Sequence, residues 1–275
     1  MNSLTRNHPN RRRVLQHIGV GAMVSAGGLV PLGALADTPW PTQGVKVIVP
    51  FAAGGSTDAI ARLLARRLQE VFGQSFVVEN RAGANGNLGA ATVATAAPDG
   101  HTLMLSTTGP LSLNKLLYRS TPFNPLTDFT PISLMADVPL LLASHPSLPV
   151  QDLGQLIAYL KANPDKVAYS TGGNGSMGHL SSMLMQRATS TSIVHVPYKG
   201  SSEALNALLS GTVNLSFDLV PTYLQQITAG KIRAIAVLGP QRIASLPGIP
   251  TLQESGINVS ATGWFGLVGP KGLPA

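Results

Sequence analysis

The stretch Val45-Lys46-Val47-Ile48-Val49-Pro50-Phe51-Ala52-Ala53-Gly54-Gly55-Ser56-Thr57-Asp58 decides the fold. Its first five residues form a short β-branched run between Gly44 and Pro50, the pattern of a buried strand. A glycine-rich loop follows. Beyond it, Ile60, Leu63, Leu64, Leu68, Val71 and Phe72 recur at helical spacing, which predicts a helix with one apolar face and a stop at Gly73.

The same order repeats outward along the chain. Residues 76–79 read as a strand, Gly83 to Gly89 as a turn, the Ala/Thr-rich run to Ala97 as a helix, and 102–106 as a third strand. This β-α-β-α-β order implies a mainly parallel sheet flanked by helices. A proline-rich passage, 121–131, breaks the alternation, and two separate apolar runs follow, 132–134 and 138–144. The alternation then restarts with a helix from an Asp152 cap to Asn163. Strands are expected at 167–170, 193–196, 215–217 and 232–238, and helices at 179–188, 202–209 and 220–229. A last run, 264–268, is expected to cross back to the first sheet. The organisation is an α/β chain of two lobes, 37–140 and 141–258, with a return segment at 259–275. Each lobe opens with strand, glycine-rich loop and helix.

The chain has 275 residues, of which 44% are apolar and 11% charged, with no cysteine. That apolar fraction supports a real core and excludes a disordered chain. The lack of cysteine excludes a disulfide scaffold, a thiolate metal site and a cysteine nucleophile. The net charge of +7 first suggests nucleic acid. However, Arg6, Arg11, Arg12 and Arg13 precede a Gly/Ala-rich apolar stretch that ends in Ala34-Leu35-Ala36, the small-x-small pattern of signal-peptide cleavage. Arg11-Arg12-Arg13-Val14-Leu15 resembles the twin-arginine export signal. Removal of 1–36 leaves 15 basic and 12 acidic residues, a balance of +3. No nucleic-acid partner is expected, and no other stretch is long and apolar enough to span a membrane.

Three readings compete for the glycine-rich loops. Gly173, Gly175 and Gly178 have the spacing of a dinucleotide fingerprint between strand and helix. The acid that should meet a ribose is missing, because His195-Val196-Pro197-Tyr198-Lys199 stands in its place. An exported nicotinamide-dependent oxidoreductase using loop 173–178 is therefore the alternative function. Asn174-Gly175-Ser176-Met177-Gly178 nearly matches a nucleophile elbow, but no acid lies between Ser176 and His195, the last histidine. In the third reading the loops are anion-binding helix N-termini. Gly54, Gly55, Gly172, Gly173 and Gly175 would let an anion approach the backbone, and Ser56, Thr57, Thr171 and Ser176 would add hydroxyl donors. His101, His145, His179 and His195 lack metal-ligand spacing, so no metal, no cofactor and no catalytic group are expected.

Further segments join the opening stretch: Val78-Glu79-Asn80-Arg81-Ala82-Gly83-Ala84-Asn85-Gly86, Ala97-Pro98-Asp99-Gly100-His101-Thr102-Leu103 and Val194-His195-Val196-Pro197-Tyr198-Lys199-Gly200. Leu246-Pro247-Gly248-Ile249-Pro250-Thr251 and Trp264-Phe265-Gly266 complete the set. In their order and spacing these segments resemble the extracytoplasmic solute-binding receptors of tripartite tricarboxylate transporters, the Bug family. The resemblance implies a two-lobed, type II-like periplasmic binding protein with its ligand cleft between the lobes. The resemblance further implies a monomer that is not an enzyme and passes a small organic carboxylate to membrane permease subunits. It implies ligand contacts from Phe51, Ala53, Gly54, Gly55, Thr57 and Asp58 in the first lobe, and from Thr171, Gly172, Ser176 and His179 in the second. Ser106, Thr107, Thr108 and Gly109 should line the cleft, as should Tyr198, Lys199, Gly200 and Asp218. Asp58 has a second reading, as a partner for its own helix N-terminus. Tyr198 could equally pack in the core, and Lys199 could be a solvated charge. Family members often carry proline where this chain has Ala52, Ala53 and Ser56, and they usually continue past Gly272-Leu273-Pro274-Ala275. Apolar surface on the first lobe is therefore expected to stand uncovered.

Overall fold

In a computed structural model of the chain, residues 40–274 are described. The expected export segment, 1–36, lies outside them. The β-branched run forms β1 (Val45–Val49), which pairs in parallel with β2 (Phe76–Asn80) and β3 (Thr102–Thr107). The helices α1 (Ser56–Phe72) and α2 (Asn87–Ala94) connect them, and a short α3 (Asn114–Leu117) follows.

The two apolar runs expected after the proline-rich passage are one 16-residue strand, β4 (Phe129–Ser144). Its first half pairs antiparallel with β9 (Thr262–Pro270), which lies against β3. Its second half, from Leu140, pairs antiparallel with β7 (Leu215–Leu219) and β8 (Arg233–Val237). Two register shifts, between Pro131 and Ser133 and between Leu134 and Ala136, let the first half keep its partner. The first half is largely exposed, whereas Leu140–Ser144 is buried on both faces, so the apolar pattern changes midway. That change made it read as two pieces.

The second lobe continues with α4 (Leu153–Ala162), β5 (Ala168–Thr171), α5 (Met177–Thr189), β6 (Val194–Pro197), α6 (Ser201–Leu209) and α7 (Val220–Thr228). Strand β5 pairs in parallel with β6 and β7. Each sheet is thus a parallel trio completed by antiparallel strands, in the orders β2-β1-β3-β9-β4 and β4-β7-β5-β6 with β8 beside β4. The main core runs through both sheets. Val45, Val47, Leu140, Leu142, Tyr169, Phe217 and Phe265 belong to one cluster, and burying each such side chain contributes about 1.5–3 kcal/mol.

Helix α1 departs from its expected face. Its buried positions are Ser56, Thr57, Asp58, Ala61 and Ala65, while Leu63 and Val71 are exposed. Small residues let the helix axis sit close to the sheet. Ile60, Leu64 and Leu68 flank that contact, and Phe72 packs edge-on against Trp40 at 5.2 Å. Uncovered apolar surface is present on the first lobe, where Leu126, Ile132 and Leu134 are exposed. Among the described residues no helix is long and apolar enough to cross a membrane, and no three His, Cys, Asp or Glu side chains form a metal site.

Candidate functional site

Parallel strands deliver helix N-termini to one edge of each sheet, and here four of them reach a single cleft. Its wall includes Thr57 in the first turn of α1, Ser176 and Met177 at the start of α5, Gly200 and Ser201 at the start of α6, and Asp218 and Leu219 just before α7. The space is about 500 Å³, part of it open to solvent. Gly55 and Gly200, which cap α1 and α6, place no side-chain acceptor on the first-turn N–H groups. Each N-terminus carries roughly half a positive charge, so together they favour an anion. Among the described residues no Lys, Arg or His lines this wall, and Asp218 is its one ionisable side chain.

The loop of the first lobe is braced from behind by a charge. The Gly54 N–H donates to Asp58 Oδ2 at 3.0 Å, Arg62 Nε to the same oxygen at 2.9 Å, and Asn80 Nδ2 to Oδ1 at 3.0 Å. Asn80 also donates to the Phe51 carbonyl. Burial alone would raise the Asp58 carboxyl, but the bonds from Arg62, Gly54 and Asn80 outweigh it and hold the group below its ordinary value.

The loop of the second lobe is braced by neutral groups. The Thr171 hydroxyl shares a 2.7 Å hydrogen bond with His195 Nε2 and accepts from the Gly173 N–H. The Gly175 N–H donates to His179 Nδ1 at 3.1 Å, and the His179 N–H donates to the Ser176 hydroxyl that caps α5. The two imidazoles stack at 4.1 Å, 10° from parallel, and Tyr169 stacks on the far side of His195. Burial lowers both histidines, and the neighbouring His179 adds to the effect on His195, which falls to about 4. Gly178 has a packing role, since a Cβ there would collide with the Phe217 carbonyl on β7.

Of the expected ligand residues, Phe51, Thr57, Thr107 and Thr108 line the cleft from the first lobe, and Gly172, Ser176, Gly200 and Asp218 from the second. The other expected residues stand off this wall. Asp58 is consumed by its own loop, while Thr171 and His179 brace theirs. Gly54 and Gly55 face the other lobe: a Cβ on Gly54 would lie 3.8 Å from Ser202 Cβ, and one on Gly55 would lie 3.4 Å from Ser201 Cβ. The Ala53 carbonyl accepts from Ser202 Oγ at 2.9 Å, and the Lys199 carbonyl accepts from the Ala52 N–H. The lobes are thus in direct contact. The Lys199 side chain is exposed, and Tyr198 packs against the second core cluster. Ser56 and Ser106 bury their hydroxyls, and Gly109 lies against Asn85 and Asn114. In a tight loop successive residues face opposite sides, so a motif marks the loop without marking its lining.

The wall also contains Asn85, Leu140, Met177, Ser201, Phe217, Leu219 and Gly263. Ser201 was findable as the first residue of a helix after Lys199-Gly200. The apolar ones read as core, and nothing local distinguishes a core leucine from one at a cleft floor.

The family description "Tripartite tricarboxylate transporter family receptor" matches residues 60–275. Protein BugT of Bordetella pertussis is 42% identical over 265 residues, covering 96% of this chain and 80% of that protein. Two solved structures superpose at similar levels. Rpa4515 of R. palustris with adipate has a TM-score of 0.84 at 42% identity, covering 86% of this chain and 79% of the other. MatC of Rhodopseudomonas palustris with bound malate has a TM-score of 0.81 at 34% identity, covering 85% and 80%. With its two-sheet fold and its cleft of converging helix N-termini, the chain belongs to the tripartite tricarboxylate transporter receptor family, a family of periplasmic solute-binding proteins and not of enzymes.

Proposed function

We propose that this receptor captures a small organic carboxylate between its lobes and delivers it to the permease subunits of a tripartite tricarboxylate-type transporter. Residues 1–36 serve as an export signal, by the twin-arginine route, and the mature chain works as a monomer in the periplasm. The observation that carries the reading is the meeting of four helix N-termini on a wall with no cationic side chain. Such a wall binds an anion through backbone and hydroxyl donors, which measure its charge and length. Adipate and malate in the neighbouring structures support the same chemistry. Closure is a population shift, because only a ligand that touches both lobes binds the closed form better than the open one.

A thermal-shift panel tests this. Some di- or tricarboxylate at about one hundred times its Kd should raise Tm by about 5 °C or more. A shift with NAD and none with any carboxylate would replace the receptor reading with the oxidoreductase one.

A further inference from the structure

Asp218 is an acidic side chain in a cleft that favours anions. It closes β7, and the residue is 7% exposed. Its two oxygens are in different situations. Oδ1 is occupied: it accepts from Ser201 Oγ at 2.8 Å and from the Leu219 N–H at 2.7 Å. Oδ2 is buried with no hydrogen-bond partner. It is directed toward Gly172, where a Cβ would lie 3.7 Å from it. Both Asp218 and Gly172 belong to the cleft wall. Burial pushes the carboxyl up to about 6, although the bonds from Leu219 and Ser201 pull it down. The Tyr223 hydroxyl on α7 shares its hydrogen bond with Ser216 and makes none to Oδ2. No cation on the wall pairs with Oδ2, which leaves this oxygen open to a donor on the ligand.

Building on the organic-acid reading above, we infer that Asp218 Oδ2 accepts a hydrogen bond from the ligand. The cleft then selects a carboxylate bearing a hydroxyl or ammonium group over the plain acid of equal length. A plain dicarboxylate leaves the buried oxygen unpaired or brings a second carboxylate toward it, and both are unfavourable. A hydroxy or amino acid presents its donor to Oδ2 while its carboxylates take the helix N-termini. The residue thus sets specificity, whereas the glycine-rich loops set charge.

Titration calorimetry on the purified chain at pH 7.5 tests the inference with three matched sets: succinate, malate and aspartate; glutarate, 2-hydroxyglutarate and glutamate; tricarballylate and citrate. Adipate serves as a further plain acid. In the best-binding set the donor-bearing acid should bind at least about 10-fold more tightly than its plain counterpart. Asp218→Asn keeps an oxygen for Ser201 and Leu219 and puts an amide donor where Oδ2 stood. It should weaken the hydroxy or amino acid, strengthen the plain acid and collapse the preference by about 10-fold or more. Equal binding within every set, or a preference unchanged in Asp218→Asn, overturns the inference while the receptor reading stands. Failure of every acid, adipate included, overturns the receptor reading as well.

Discussion

The loops after β1 and β5 occupy equivalent places, each between a parallel strand and the N-terminus of a long helix, yet opposite chemistry holds them in place. The first is tied to a buried carboxylate, Asp58, with Arg62 and Asn80 around it. The second is tied to hydroxyls and a stacked pair of neutral imidazoles. The glycines also serve different ends. Gly178 lets α5 seat on β7 within its own lobe, whereas Gly54 and Gly55 leave room for Ser201 and Ser202 of the other. A shared anion-binding geometry therefore does not imply shared construction. One loop is built for closure against its neighbour, and the other is built into its own core.

The largest expected effect separates these roles by stability. Gly178→Ala forces a methyl group against the Phe217 carbonyl, so α5 must move and stability should fall by about 3 kcal/mol. In thermal melts this is roughly 6–12 °C. A Tm within 2 °C of the parent, by the same rough scale, would mean that α5 is not seated as described.

Gly55→Trp should do the reverse. The added ring has no space in the closed form but can turn to solvent when the lobes part. Carboxylate affinity should fall by about 100-fold while the unliganded Tm barely moves, because the variant loses only the closed state's contribution to binding. Calorimetry beside a melt reads both quantities, and unchanged affinity would remove the first loop from the site.

The smallest effect is a contrast in pH. Asp58 is held below its ordinary value, so its bracing is complete above about pH 4 and is lost as the pH falls below that. His179 and His195 are lowered from 6.5, so charging them starts to cost stability below about pH 6.5 and the cost grows to about pH 4. Between pH 6.5 and 4 the second loop should therefore loosen while the first holds. Hydrogen exchange should show residues 171–178 losing protection first, and His195→Gln should flatten that dependence by about 1 kcal/mol. Asp58→Asn should instead cost about 1–2 kcal/mol at pH 7 and leave the window from 6.5 to 4 unchanged. Loss of protection in both loops together would erase the distinction.

Much of this was legible locally. The run 45–49 places β1 at its observed bounds and Gly73 marks the end of α1, but α1 begins at Ser56, inside the stretch that reads as loop through Asp58. Helical periodicity mistook the exposed Leu63 and Val71 for core, because apolar spacing identifies a face without saying how much of it the sheet covers. The resemblance carried by the loop segments points to the loops around this cleft, and eight of its residues stand on the wall.

By itself the sequence determined which segments become strands and helices and where the glycine-rich turns fall, since spacing, caps and turn residues act within one or two turns of chain. Only the tertiary structure decided that β4 serves both sheets, that Asp58 faces its own loop, and that Ser202 meets Ala53 from 149 residues away. It likewise decided that Asp218 keeps one oxygen free beside Gly172. These facts depend on where separately formed elements meet, and local patterns specify the faces of elements without specifying their partners.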